Sequence, residues 1–143
     1  MIKWLSNRVM VVPVDFSDLS LAALDEALEL APDAGWVHVI HVLPVLEATE
    51  PGVIWGTVDD ESRARHALQA LDERLSDARY NNLHKAIAFG DPGHEIAEYA
   101  RHHRAALIVL PSHGRTGLKR LLIGSVAERV VRLAHCPVLV LKE

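Results

Sequence analysis

Residues 107–141 read LIVLPSHGRTGLKRLLIGSVAERVVRLAHCPVLVL: an apolar run, a loop with three glycines, a helical stripe and a second apolar run. The two runs, Leu107–Leu110 and Pro137–Leu141, are apolar on consecutive residues rather than on alternate ones, as expected of strands buried on both faces. Between them Val126, Ala127, Val130, Val131 and Ala134 recur at helical spacing. Working outward, three more β-branched runs precede this unit: Val9–Val14, Trp36–Leu43 and Leu83–Phe89. They alternate with helical stripes: Leu21, Leu24, Leu28 and Ala31; then Ala64, Ala67, Leu68, Leu71, Leu75 and Ala78; then Ile96, Ala97 and Ala100. Strand–helix alternation throughout predicts an α/β fold of three layers, a five-stranded parallel sheet with helices on both faces. Right-handed crossovers leave two strand orders, 3-2-1-4-5 and 2-1-3-4-5. In either, ligands sit beyond the carboxyl ends of the strands at the switch point, which directs attention to the segments after strands 1 and 4.

The chain has 143 residues, and one domain over 1–143 is expected. Half of it is hydrophobic and 24 % is charged, enough apolar surface for a packed core. A net charge of −4 argues against a nucleic-acid binder, which would need a basic face, and nine histidines shrink that charge on mild acidification. The single cysteine, Cys136, excludes an internal disulfide framework and fits a reducing compartment. The run Val9–Val14 is too short for a signal-peptide core and ends at Asp15. No run approaches the roughly 20 apolar residues of a membrane span, so no membrane insertion and a cytoplasmic location are expected.

Helix starts carry recognisable chemistry. Asp91-Pro92 sets a capping side chain before a proline at the first helical position, and Ser125 with Glu128 reads as a capping box. Pro44–Asp60, with two prolines, two glycines and no period, reads as a long loop. Its Gly52 and Gly56 flank Val53-Ile54-Trp55, which suits a cover over a ligand or a packing surface for a partner.

After strand 1 comes Pro13-Val14-Asp15-Phe16-Ser17. A carboxylate at a strand's carboxyl end accepts hydrogen bonds from a ribose hydroxyl or an adenine amine; Asp15, Ser17 or Asp18 equally suits a helix cap. After strand 4, Pro111-Ser112-His113-Gly114-Arg115-Thr116-Gly117 leads to Gly124-Ser125 and a helix start. Glycines before a helix N-terminus offer backbone donors and a favourable dipole to phosphate, and Arg115, Lys119 and Arg120 add charge. Neither the Walker pattern nor the dinucleotide fingerprint is present.

Other constellations read more simply. His94, Glu98 and His102 share a helical face, but nothing supplies further metal ligands, and a solvated face carries such residues routinely. Ser112-His113 lacks a nucleophile-elbow pattern. His38 and His41 fall on opposite faces of strand 2 as structural residues, Trp4, Trp36 and Trp55 as packing residues, and Cys136 as a small buried apolar residue.

Residues 112–142, SHGRTGLKRLLIGSVAERVVRLAHCPVLVLK, resemble the carboxy-terminal signature of the universal stress protein family. PVDFSDLS after strand 1, the His41-Val42 end of strand 2 and GDPGHEIAEYA from Gly90 stand in that family's other expected places. The resemblance covers nearly the whole chain and is weakest in Pro44–Asp60. It implies strand order 3-2-1-4-5, a twofold dimer through the apolar edge strand Pro137–Lys142, and, in one branch of the family, ATP between the ends of strands 1 and 4, with Mg2+ on the phosphates. That branch carries glycine, two residues, glycine, nine residues, then glycine and serine or threonine. Gly114, nine residues and Gly124-Ser125 match its later elements, while Pro111 stands where the first glycine belongs. By this similarity Asp15 and the Val42 backbone hold the adenosine end, and His113, Gly114, Gly124, Ser125 and Val126 line the phosphates. Proline removes an N–H and adds a ring, so binding retained but weakened is expected. The implied function is a nucleotide-binding regulatory module with an unknown protein partner and at most slow ATP hydrolysis. The alternative is a nucleotide-free dimeric stress protein. An enzyme of nucleotidyl-transferase or ATP-pyrophosphatase type ranks last, because Val14-Asp15-Phe16-Ser17 supplies neither paired histidines nor a Ser-Gly-Gly loop.

Overall fold

The structure, a computed structural model, describes residues 3–47, 49, 51, 59–113 and 123–142. Five parallel strands, β1 (Met10–Pro13), β2 (Val37–Leu43), β3 (His84–Phe89), β4 (Leu107–Pro111) and β5 (Val138–Leu141), form one sheet in the order β3-β2-β1-β4-β5. The helices are α1 (Asp18–Leu30), α2 (Asp60–Arg74), α3 (Pro92–His102) and α4 (Ser125–Leu133). The expected runs thus become the strands to within a residue or two at each end. Trp36 enters a short 3-10 turn before β2, and Pro111 extends β4 by one residue.

Successive strand residues face opposite sides, and both sides are buried. Met10, Val12, Val37, Val39, Leu107 and Val109 pack with α1 and with Leu71 and Leu75 from the end of α2. Val11, Ile40, Ile108 and Leu110 pack with Ile96 and Ala100 of α3 and Ala127 and Val130 of α4. Consecutive apolar residues in these runs are therefore both core residues, one on each side. The helical stripes are narrower than their sequence suggests. Leu68 is 38 %, Val126 37 % and Val131 49 % exposed, so each lies at the rim of its stripe.

Asp91 caps α3 as expected, accepting from the His94 N–H at 3.0 Å, and its other role is an ion pair with Arg129 of α4 at 2.7 Å. Gly93 explains how close those helices come: a Cβ there would lie 2.7 Å from the Arg129 stem. The carboxyl end of α3 closes with the Ala105 N–H on the Ala100 carbonyl at 2.9 Å and the Arg104 N–H on the Arg101 carbonyl at 3.1 Å. This is the six-to-one closure that places its pivot in the left-handed region, usually glycine. Here the pivot is Arg104, at φ +51°.

His38 and His41 do face opposite sides. The His41 Nδ1–H donates to the Val14 carbonyl at 2.6 Å, and its ring meets Phe16 edge-on. His38 lies on the α3 side, its Nδ1 hydrogen-bonded to the Tyr99 hydroxyl at 2.7 Å, with His84 stacked on it at 4.5 Å and His103 at 5.2 Å. Burial first, then the neighbouring His84 and His103, lower the His38 pKa to about 4 from the ordinary 6.5. The unfolded chain therefore binds a proton between those values that the folded chain refuses. Stability from this site is full above about pH 6.5 and falls as the pH drops toward 4, by about 3 kcal/mol at most. Urea unfolding at pH 7 and pH 4.5 is expected to show this loss, and His38→Gln to reduce the pH slope.

A crevice between β1 and β4

The β1–β4 seam is short, and two prolines are the reason. Ile108 and Ser112 donate their N–H groups to Pro137 and Leu141 at 3.1 and 2.8 Å, so even-numbered residues here face β5 and odd-numbered ones face β1. The Val14 N–H donates to Ile40 of β2 at 2.9 Å, so Pro13 turns its nitrogen toward β4. Pro13 and Pro111 both present to the seam a nitrogen with no hydrogen. Pairing of β1 with β4 runs only over Met10–Leu107 and Val11–Ile108, whereas β1–β2 pairing reaches Pro13 and β4–β5 pairing reaches Pro111. The strands part where the helices after them leave on opposite faces, and a crevice results. Pro111 therefore presents to the parted seam, and so to the crevice, a nitrogen that donates neither to β1 nor to a ligand.

Asp15 stands at the lip of this crevice in a tight turn. Its Oδ1 accepts from both the N–H (3.0 Å) and the hydroxyl of Ser17, while its own N–H donates to Ser20 Oγ at 3.3 Å. The Ser17 oxygen in turn caps α1 by accepting from the Ser20 N–H at 3.1 Å, and the Ser20 hydroxyl donates to the Ser17 carbonyl at 2.9 Å. Ser17 is thus the helix cap, and Asp15 orients the cap. The turn forces Phe16 to φ +68°, a conformation that costs about 1–2 kcal/mol for a residue with a Cβ. Its edge contact with His41 and the serine network hold it there.

Val42 lies two residues past Ile40, the last β2 residue paired with β1. Backbone groups two apart on a strand face the same neighbour, so those of Val42 face the space past the turn of β1. On the other side, the Ser112 carbonyl accepts the Gly124 N–H, which ties the start of α4 to the end of β4. Gly124 caps α4 with ordinary extended backbone (φ −72°, ψ 162°) and no side-chain bond. Ser125 is the first helical residue, and the expected capping box does not form; Glu128 instead accepts from Arg132 at 2.6 Å. The first intrahelical bond runs from the Glu128 N–H to the Gly124 carbonyl at 2.9 Å. The amides of Ser125, Val126 and Ala127 therefore have no acceptor within the helix, and Ser125 and Val126 are exposed.

His113 Nδ1 lies 3.1 Å from the Ser112 hydroxyl. Gly114 lies outside the described residues, as do Arg115, Lys119, Arg120 and the Gly52–Gly56 stretch with Trp55. The described candidates, Asp15, Val42, His113, Gly124, Ser125 and Val126, all stand at the carboxyl ends of β1, β2 and β4 or at the start of α4. Residues that the sequence reading missed are Ser20, His41 and Pro13, which build the lip and part the seam. The spacing of Ser17 and Ser20 was the available signal for the first. Of the residues set aside, Glu98 is engaged by Arg101 at 2.8 Å, and burial pushes the Cys136 thiol up.

Three comparisons bear on this geometry. The chain matches the universal stress protein family over residues 6–142. It is 35 % identical over 142 residues to universal stress protein MJ0531 of Methanocaldococcus jannaschii, spanning 95 % of this chain and 82 % of that one. The solved structure of universal stress protein UspA from Lactobacillus plantarum superposes with a TM-score of 0.74 at 29 % identity, over 94 % of this chain and 97 % of that one. A universal stress protein in complex with cAMP superposes at 0.63 over 94 % and 96 % of the two chains; at 23 % identity that likeness is one of fold.

Ser17→Ala removes both the cap of α1 and the anchor of Asp15. It is expected to cost about 1 kcal/mol in urea unfolding, while Ser17→Thr retains the stability.

Proposed function

The chain belongs to the universal stress protein family, and we propose that it binds an adenine nucleotide, ATP, in the crevice between β1 and β4 as a regulatory module. The observation that carries this reading is the set of first-turn amides of α4 without an acceptor in the helix, held against the end of β4 by the Gly124–Ser112 hydrogen bond. Amides of this kind, backed by the helix dipole, suit phosphate oxygens. The amides of Ser125 and Val126 and the Ser125 hydroxyl take the phosphates, with His113 and Gly114 beside them. Gly124 acts by position, since its N–H is committed to Ser112. Asp15 and the Val42 backbone take the adenosine end, and Mg2+ accompanies the phosphates. A protein of this fold in complex with cAMP supports the class of ligand, while the residues are argued from this chain alone.

Calorimetry with ATP, ADP and AMP tests the reading, with affinity expected to rise with the number of phosphates. Gly124→Asp is the decisive variant. Its backbone suits any residue and aspartate is a favoured cap, so the fold is retained, yet the new carboxylate occupies the phosphate donors. A loss of at least a hundredfold is expected, about 2.7 kcal/mol. Pro111→Gly should tighten affinity, because it returns an N–H to the crevice. Absence of heat with all three nucleotides, or equal affinity in Gly124→Asp, overturns the reading.

The same protein is proposed to be a cytoplasmic twofold dimer paired through β5, which ends the sheet order. The Pro137 and Leu141 carbonyls accept from β4, so odd-numbered residues of β5 face β4 and the amides of Val138 and Val140 face outward. Leu139 packs into the α1–α2 core, so replacing it would damage the protomer as well as the edge. Val140→Pro deletes an outward donor and also trims the packing of Val140 on the α3–α4 side. Sedimentation velocity is expected to show a folded monomer with a lowered melting temperature. A dimer that persists places the interface elsewhere.

A further inference from the structure

At the amino ends of β1, β4 and β5, the pole opposite the crevice, a cleft of about 160 Å³ is lined by Arg8, Arg101, Arg104, His135 and Cys136. Its volume equals about five waters, below that of a drug-sized ligand site. It suits one oxyanion with a small substituent. Three arginines and a histidine line it from three places in the chain: the segment before β1, the end of α3 and the turn before β5. Arg101 is paired with Glu98 at 2.8 Å. Among the described residues neither Arg8 nor Arg104 has a carboxylate partner; Arg8 instead reaches the Arg104 carbonyl at 3.5 Å. Two arginines without a carboxylate partner among the described residues thus line one cleft.

Arg104 is also the residue that closes α3 in the left-handed region, a place where glycine is the usual and less strained choice. A strained backbone that carries an unpaired guanidinium at the rim of a cleft points to a use for that guanidinium. Burial holds the Cys136 thiol in its protonated form, so it forms part of the wall and adds no negative charge. We infer that this cleft binds a phosphate-type oxyanion, as free phosphate or as the phosphoryl group of a small monoester, through the forks of Arg8 and Arg104 with His135 as a further donor. Arginine suits that role because its planar fork matches two oxygens at once.

The test is amide chemical-shift mapping of the Gly124→Asp protein, whose α4 amides are blocked, titrated with inorganic phosphate and, separately, with methyl phosphate. Saturable shifts are expected at Ala100–Ala105 and His135–Cys136. Arg104→Gly is expected to raise the melting temperature, because it relieves the backbone, and to weaken binding at least fivefold. Arg8→Gln should weaken it similarly, while Arg132→Gln, outside the cleft, should leave it unchanged. Equal binding of both probes identifies a phosphoryl group as sufficient, and preference for inorganic phosphate identifies the free ion. Shifts confined to other regions, or undiminished binding in a folded Arg104→Gly, overturn the inference.

Discussion

The parting of β1 from β4 is the constraint on which the rest depends. A parallel sheet buried on both faces gains by extending every ladder, yet this one stops its central seam after two residue pairs. Pro13 and Pro111 end it, each presenting a nitrogen that cannot donate to its neighbour. Everything placed at the carboxyl end follows from that gap. Asp15 turns away from the sheet instead of continuing β1, Val42 extends past its partner strand, and α4 begins beside β4 instead of above it. The turn at Phe16 is then the local cost of a sharp exit. His41 and the Ser17–Ser20 network offset it with hydrogen bonds made from the neighbouring strand and helix.

Much of this fold was legible in the chain. Buried strands announced themselves because consecutive β-branched residues have no other use, as Val11 and Val12 show by packing on opposite sides. The strand order was not legible from periodicity, which says nothing about neighbours, and came from the family resemblance. At the site, Asp15 and the Gly124–Ser125 helix start were readable from residue type and position. The part played by Pro111 was not. Which strand a backbone nitrogen faces depends on register, and register appears only when the strands are laid side by side. The capping box at Ser125 failed for a related reason: the Ser112 carbonyl engages Gly124 and shifts the cap one residue upstream.

The two ends of the sheet contrast in how they hold positive potential. At the carboxyl end it comes from backbone amides of α4, which carry no formal charge and cannot be neutralised by deprotonation. At the amino end it comes from arginines at the end of α3 and before β1. His38, His84 and His103 also cluster at that end, where α3 meets β2 and β3, and burial among them keeps His38 uncharged until well below the usual imidazole range.

The clasp between Ser112 and Gly124 also bears on how such a protein can change over generations. The bond joins backbone to backbone, so it asks of residue 124 only that it not be proline and of residue 112 nothing but its carbonyl. The position of α4 beside β4 is therefore inherited independently of the side chains at either end, and substitution there can alter chemistry without moving the helix.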